Sequence, residues 1–293
     1  MIQKSIRCLP VLWTLVLVVS LCTVGCSKRD DPILRLSADE ALDLGKQFLA
    51  DEKYYKARRH LIHAFEVEPN SRSGREALLL AADALFLQGG TENFIKCEAK
   101  YRDFLNRFPT SDRADYAQFK VAACLAARSE RPDRDQKVTR QAIESYGELL
   151  RLYPTSTYVA DTRQRILELT DQLAAHEMVI GRFYNRYAGR GICTASINRF
   201  EYLQENFPEY SGMDEVLYQL SIAYHRCLRS ADALESLADL RRRYPDSEWL
   251  DEAAEMEQEV AEAAVKQKQA REAAAQAKAA AEAEAETETA EES

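Results

Sequence analysis

The sequence predicts an all-α fold, a solenoid of about five helix pairs, and three observations carry that prediction. Ala, Leu, Glu and Arg are plentiful, whereas Gly and Pro number only 10 and 8 in 293 residues. That balance favours helix over turn-rich β structure. Five prolines, Pro69, Pro109, Pro154, Pro208 and Pro245, each close an apolar–charged run, at intervals of 40, 45, 54 and 37 residues. Spacings of this size mark stacked repeats, in which each helix pair buries its face against the next. The residues upstream of each proline also follow one pattern. Twelve before it stands a small residue (Ala57, Cys97, Ala142, Ser196, Ala233). Eight before it stands a large one (Leu61, Tyr101, Tyr146, Phe200, Leu237). Five before it the residue is always apolar (Ala64, Phe104, Leu149, Leu203, Leu240). Offsets of four and three keep these on one helical face, and proline then stops the helix.

In chain order, the first element is a leader. Lys4 and Arg7 precede an apolar run from Cys8 to Gly25. This is the order of a secretory signal, and the run is also near the lower limit for an uncleaved membrane anchor. "TVGC" at Thr23–Cys26 resembles the bacterial lipoprotein signal, in which a small residue precedes a cysteine that is acylated and becomes the new N-terminus. Thr23 departs from the usual Leu. On this reading residues 1–25 are a lipoprotein signal peptide, Cys26 is the lipidation site, and residues 26–36, opening with the polar "SKRDDP", are a tether. Cys22, preceded by bulky Leu21, would leave with the signal. Two or more acyl chains hold a protein stably on a membrane. Ser27 resembles the outer-membrane sorting choice.

Residues 37–250 carry the repeats. Their proline-terminated helices resemble the second helix of a tetratricopeptide repeat, although only Ala64 keeps that family's Ala five before the proline. Ala41, Leu44, Gly45 and Phe48 match its first helix, as do Leu217, Leu220, Ser221 and Tyr224. The resemblance implies a right-handed superhelical solenoid of tetratricopeptide-like pairs. Ser129–Gln136 reads as an insertion. Ser156–Arg186 has one glycine, Gly181, and no proline, so it predicts one long helix. Residues 251–293 form an Ala/Glu-rich acidic tail with little to pack. It reads as a solvated helix fraying towards Ser293, or as a disordered acidic segment over its last twenty residues.

The stretch from Arg131 to Tyr210, with its "YPTSTY" turn, long helix and "INRFEYLQENFPEY", resembles the BamD family, the lipoprotein subunit of the outer-membrane β-barrel assembly machinery. "YAGRGICT" (Tyr187–Thr194) is a few residues longer than the family norm, and the Ala/Glu tail is extra. The resemblance implies a periplasmic scaffold on the inner face of the outer membrane, lipid-anchored. It would dock on the POTRA-containing β-barrel core subunit through its C-terminal repeats, sit beside the other assembly lipoproteins, and meet unfolded outer-membrane proteins through its N-terminal repeats. The family's docking Arg and Glu map to Arg199 and Glu201. A bland reading, an exposed helix charge pair, stands beside that role. Another envelope repeat scaffold, such as a secretin pilotin or a Tol-linked coordinator, is the alternative function.

Enzyme chemistry finds no support. "HEMVI" at His176 opens like the zinc-protease motif, but Ile180 stands where the second His is required. His60, His63 and Glu66 share a helix, and nothing nearby completes a metal site. Gly189–Gly191 is a turn, not a phosphate loop. No cofactor is expected. The formal charge of −9 argues against nucleic acid, and most of it lies in the tail, where eleven Glu face four Lys/Arg from Glu255 onward. Cys97 and Cys124 lie 12 and 15 residues either side of Pro109; Cys193 and Cys227 lie 15 and 19 either side of Pro208. In antiparallel helix pairs that near-symmetry sets each two at similar height, so disulfides Cys97–Cys124 and Cys193–Cys227 are expected in an oxidising compartment. For Cys97 the competing reading is the small core position already described.

Overall fold

The computed structural model describes residues 31–187 and 193–291. The signal segment, Cys26 and Gly189–Gly191 lie outside them. The described chain is helical throughout: a 3-10 turn, Pro32–Arg35, then α1 Ala38–Ala50, α2 Tyr54–Val67, α3 Arg72–Gln88, α4 Thr91–Arg107, α5 Ala114–Ala126, α6 Lys137–Leu152, α7 Val159–Tyr187, α8 Cys193–Asn206, α9 Met213–Arg226, α10 Ser230–Arg243 and α11 Leu250–Glu291. Its described residues divide into two compact units, one up to Leu87 and one from Gln88 onward.

All fifteen pattern positions before the prolines are at most 1% exposed. The stripe is core. The helices bearing it (α2, α4, α6, α8 and α10) each end two residues before their proline. The intervening residue is pushed out of the helical region, for example to φ −129°, ψ 60° at Tyr153, because the proline ring disfavours α geometry in its predecessor. The turns are then pinned from outside. Ser156 Oγ donates to Asp115 Oδ2 at 2.6 Å and Ser247 Oγ to Asp214 Oδ2 at 2.7 Å. Ser211 Oγ donates to Asp171 Oδ2 at 2.9 Å, and Ser73 Oγ bonds Asp39. Each bond ties the end of a helix pair back to its first helix.

In the first unit, α1 starts on a reciprocal cap: Ser37 Oγ accepts from the Glu40 amide at 3.3 Å, and Glu40 Oε2 accepts from the Ser37 amide at 2.9 Å. Its core joins Ala41, Leu42, Ala57, Leu61, Ala64, Ala77 and Ala81. Gly45 lets α1 and α2 approach closely: a Cβ there would lie 2.5 Å from the Leu61 side chain.

In the second unit α7 runs for 29 residues, the single long helix the sequence predicts. Its C-terminal half serves as the first helix of a repeat. Gly181 abuts Phe200 of α8, where a Cβ would come within 2.4 Å of the ring. The same small-against-large device as Gly45–Leu61 therefore recurs. The Ser129–Gln136 insertion folds onto this helix: Gln172 Nε2 donates to Ser129 Oγ at 3.2 Å and His176 Nδ1 to the Pro132 carbonyl at 2.6 Å. The last helix, α11, runs for 42 residues. Ala253 and Val260 are buried, and Arg241 and Glu257 pair at 2.5 Å, so its first turns cap the repeats.

Candidate docking surface

Arg199 and Glu201 stand two apart on α8 and face different helices. Arg199 Nη1 donates to Glu177 Oε2 of α7 at 2.8 Å; the Glu177 side chain is 11% exposed and that of Arg199 43%. One edge of the guanidinium neutralises a buried carboxylate, and the rest of the fork faces solvent. Glu201 Oε1 accepts from Tyr224 Oη of α9 at 2.7 Å. Burial and that acidic partner push the Tyr224 phenol pKa well above its ordinary value, so Tyr224 stays a donor. The Arg229 guanidinium lies 4.5 Å from the Tyr224 ring centroid. Arg199 and Glu201 are not paired with each other, so the charge-pair reading gives way to two separate cross-helix contacts.

Around Arg199 the surface is aromatic. A shallow groove is lined by Tyr184, Ala195, Asn198, Arg199 and Tyr202. Val179, Phe183 and Tyr187 follow at single-turn spacing along α7, with Phe183 57% and Tyr187 68% exposed. The Phe183 and Tyr187 rings lie tilted against each other, with 5.0 Å between their centroids. Exposed aromatics around an Arg whose fork is already held in place are the composition of interface hot spots. The stripe was not singled out from the sequence. Its signal is the V-x3-F-x3-Y spacing, which runs along the side of α7 opposite the buried Ala174, Met178, Gly181 and Asn185.

The cysteines come together in two pairs. Cys97 of α4 is bonded to Cys124 of α5 (Cα–Cα 6.7 Å), and Cys193, at the start of α8, to Cys227, which closes α9 (Cα–Cα 5.6 Å). Each joins the second helix of one repeat to the first helix of the next. Cys97 is fully buried, so the core position and the bonded position are the same. The histidines diverge. His60 Nδ1 meets the Lys56 carbonyl at 2.8 Å, and His63 Nε2 donates to the Leu36 carbonyl at 3.0 Å. A second cavity, between α4, α5 and α6, is polar, and both of its cations are held by one carboxylate: Glu98 receives Arg128 at 2.7 Å and Arg102 at 3.0 Å. Among the described residues no helix is long and apolar enough to cross a membrane.

A family described as outer membrane lipoprotein, YfiO, matches residues 36–230, two thirds of the chain. The chain belongs to the YfiO outer membrane lipoprotein family. A tetratricopeptide-repeat family also matches, at residues 215–247, which covers the α9–α10 pair. Curated relatives of this YfiO chain carry the name outer membrane protein assembly factor BamD. That of Rickettsia prowazekii is 28% identical, over 80% of this chain and 91% of its own length. That of Caulobacter vibrioides is 26% identical, over 78% and 70%, and that of Haemophilus influenzae 26%, over 72% and 82%. The YfiO match contains the whole of α7 and α8, and therefore the groove around Arg199.

Proposed function

We propose that the chain is a non-enzymatic scaffold lipoprotein that serves the assembly and insertion of β-barrel proteins in the outer membrane. The observation that carries this reading is the YfiO match over residues 36–230, supported by relatives named for outer membrane protein assembly along most of their length. Residues 1–25 act as the signal peptide, Cys26 carries the lipid, residues 26–36 are the tether, 37–250 the repeat scaffold and 251–293 an acidic tail. The protein sits on the periplasmic face of the membrane.

The partner is a POTRA-containing β-barrel core subunit, with the other assembly lipoproteins beside it. It docks on the groove around Arg199 and the Phe183–Tyr187 stripe. Glu201 supports that surface by holding Tyr224, while the N-terminal repeats meet unfolded outer-membrane proteins. An Arg with half its fork free can pair bidentately with a partner carboxylate. Affinity purification from outer membranes tests the reading. A co-purifying POTRA-barrel protein that is lost on Arg199→Glu is expected. A secretin or Tol component in its place would favour a different envelope scaffold.

A further inference from the structure

The N-terminal unit carries a second surface that docking at Arg199 does not use. From Lys53 to Phe65 the chain holds four cations, Lys53, Lys56, Arg58 and Arg59, and no carboxylate, in a protein of net charge −9. Tyr55 is 61% and Leu34 71% exposed, the two most exposed large apolar side chains described in this unit. The Arg58 guanidinium lies 5.7 Å from the Tyr55 ring centroid. Lys53 is tied to Asp51 at 2.9 Å, and Arg59 is paired with Asp31.

The route of the chain adds direction. Leu36 is held at His63 of α2 and Asp31 at Arg59, one turn earlier. Reading back from Leu36 to Asp31 therefore moves along α2 towards its N-terminal end, where Lys53, Tyr55, Lys56 and Arg58 stand. Cys26 lies five residues before Asp31, a reach of at most about 18 Å. A lipid on Cys26 brings this basic, aromatic face within that distance of the membrane.

We propose that this face lies on the anionic phospholipid surface that receives the anchor, with Lys53, Lys56 and Arg58 against headgroup phosphates and Leu34 and Tyr55 in the interfacial layer. This rests on the reading of Cys26 as the lipidation site. Basic residues near an anionic leaflet add attraction singly, and exposed Tyr and Leu suit the headgroup boundary. A tether by itself limits distance. A bound face also fixes the orientation of the first repeat.

The test uses the full mature chain with Cys26→Ser, so that no lipid contributes. Trp249 is the only tryptophan after the signal, so Trp249→Phe with Tyr55→Trp places a single fluorescent reporter on the face. Titration with brominated phosphatidylglycerol vesicles should quench that reporter, equally brominated phosphatidylcholine vesicles should not, and high salt should reverse the quenching. The triple variant Lys53→Gln, Lys56→Gln, Arg58→Gln, checked for helicity by circular dichroism, should lose roughly a hundredfold in vesicle partitioning, at about fivefold per cation. Absence of quenching on anionic vesicles, or equal partitioning of the triple variant, overturns the proposal. So does loss of a co-purifying protein with vesicle binding unchanged, which would assign the face to a protein partner. Mass spectrometry of the N-terminal peptide of the native protein judges the anchor separately. An unacylated Cys26 sinks that reading, and the vesicle titration still decides the face.

Discussion

Arg199 Nη1 lies 2.8 Å from Glu177 Oε2, bridging α8 to the C-terminal half of α7. The residue proposed for docking is thus also a structural counter-ion. Arg199→Ala leaves a buried carboxylate unpaired and should cost about 1–3 kcal/mol, less than a fully buried pair because Arg199 is partly solvated. Charge reversal at Arg199 alone therefore mixes folding with docking. The double variant Glu177→Gln, Arg199→Gln removes both charges and should unfold near the wild-type urea midpoint. Loss of the co-purifying partner in that folded variant assigns docking to the outward guanidinium; retention removes Arg199 from the interface.

The two disulfides close loops of 27 and 34 residues between neighbouring repeats. Chain entropy alone gives each about 3–4 kcal/mol. Adding a reductant should lower the urea midpoint, and the variant with all four cysteines changed to Ser should not respond. Four free thiols in non-reducing mass spectrometry of protein from the envelope would end this account.

Gly181 and Phe200 test the close helix approach. Gly181→Ala raises helix propensity by about 1 kcal/mol, but its Cβ would come within 2.4 Å of the Phe200 ring. Overpacking of that kind costs about 1–3 kcal/mol, so a lower thermal midpoint is expected. Phe200→Leu should recover part of the loss in the Gly181→Ala background and reduce stability on its own.

Leu228, in the α9–α10 turn, has φ 61° and is 54% exposed. A branched side chain in the left-handed region costs about 1–2 kcal/mol. Leu228→Gly or Leu228→Asn should therefore stabilise the protein, with a rise in thermal midpoint.

Glu215 of α9 is half-buried, and burial raises its pKa above the ordinary carboxylate range despite Arg182 at 3.1 Å. The folded state therefore holds this proton more tightly than the unfolded chain. Its contribution favours folding at low pH and is lost as pH rises through the raised folded pKa. Relative to Glu215→Gln, the wild type should gain stability as pH falls from neutrality towards that range. Equal pH slopes for the two proteins would refute this.

The repeat architecture was legible because it is written in local periodicity. A proline ends a helix whatever surrounds it, and small–large–apolar spacing selects one face; all fifteen positions read that way are core. The long α7 was equally legible, since Ser156–Arg186 lacks a breaker. Its role was harder to read. Glu177, Ile180, Gly181 and Tyr184 repeat the first-helix frame of Ala41, Leu44, Gly45 and Phe48, hidden behind a leading extension that shifts the phase.

Sequence alone thus determined where the proline-terminated helices stop and which stripe is buried, and its symmetry about the prolines put the cysteines in register. Folding decided the partners. Arg199 and Glu201 look like a pair on paper, but residues two apart on a helix point in different directions, and α7 and α9 supply Glu177 and Tyr224 instead. The aromatic stripe likewise becomes a surface only because the helices packed on α7 leave that side of it uncovered. Which side of an apolar helix is left uncovered is set by the packing of its neighbours, and no local spacing states it.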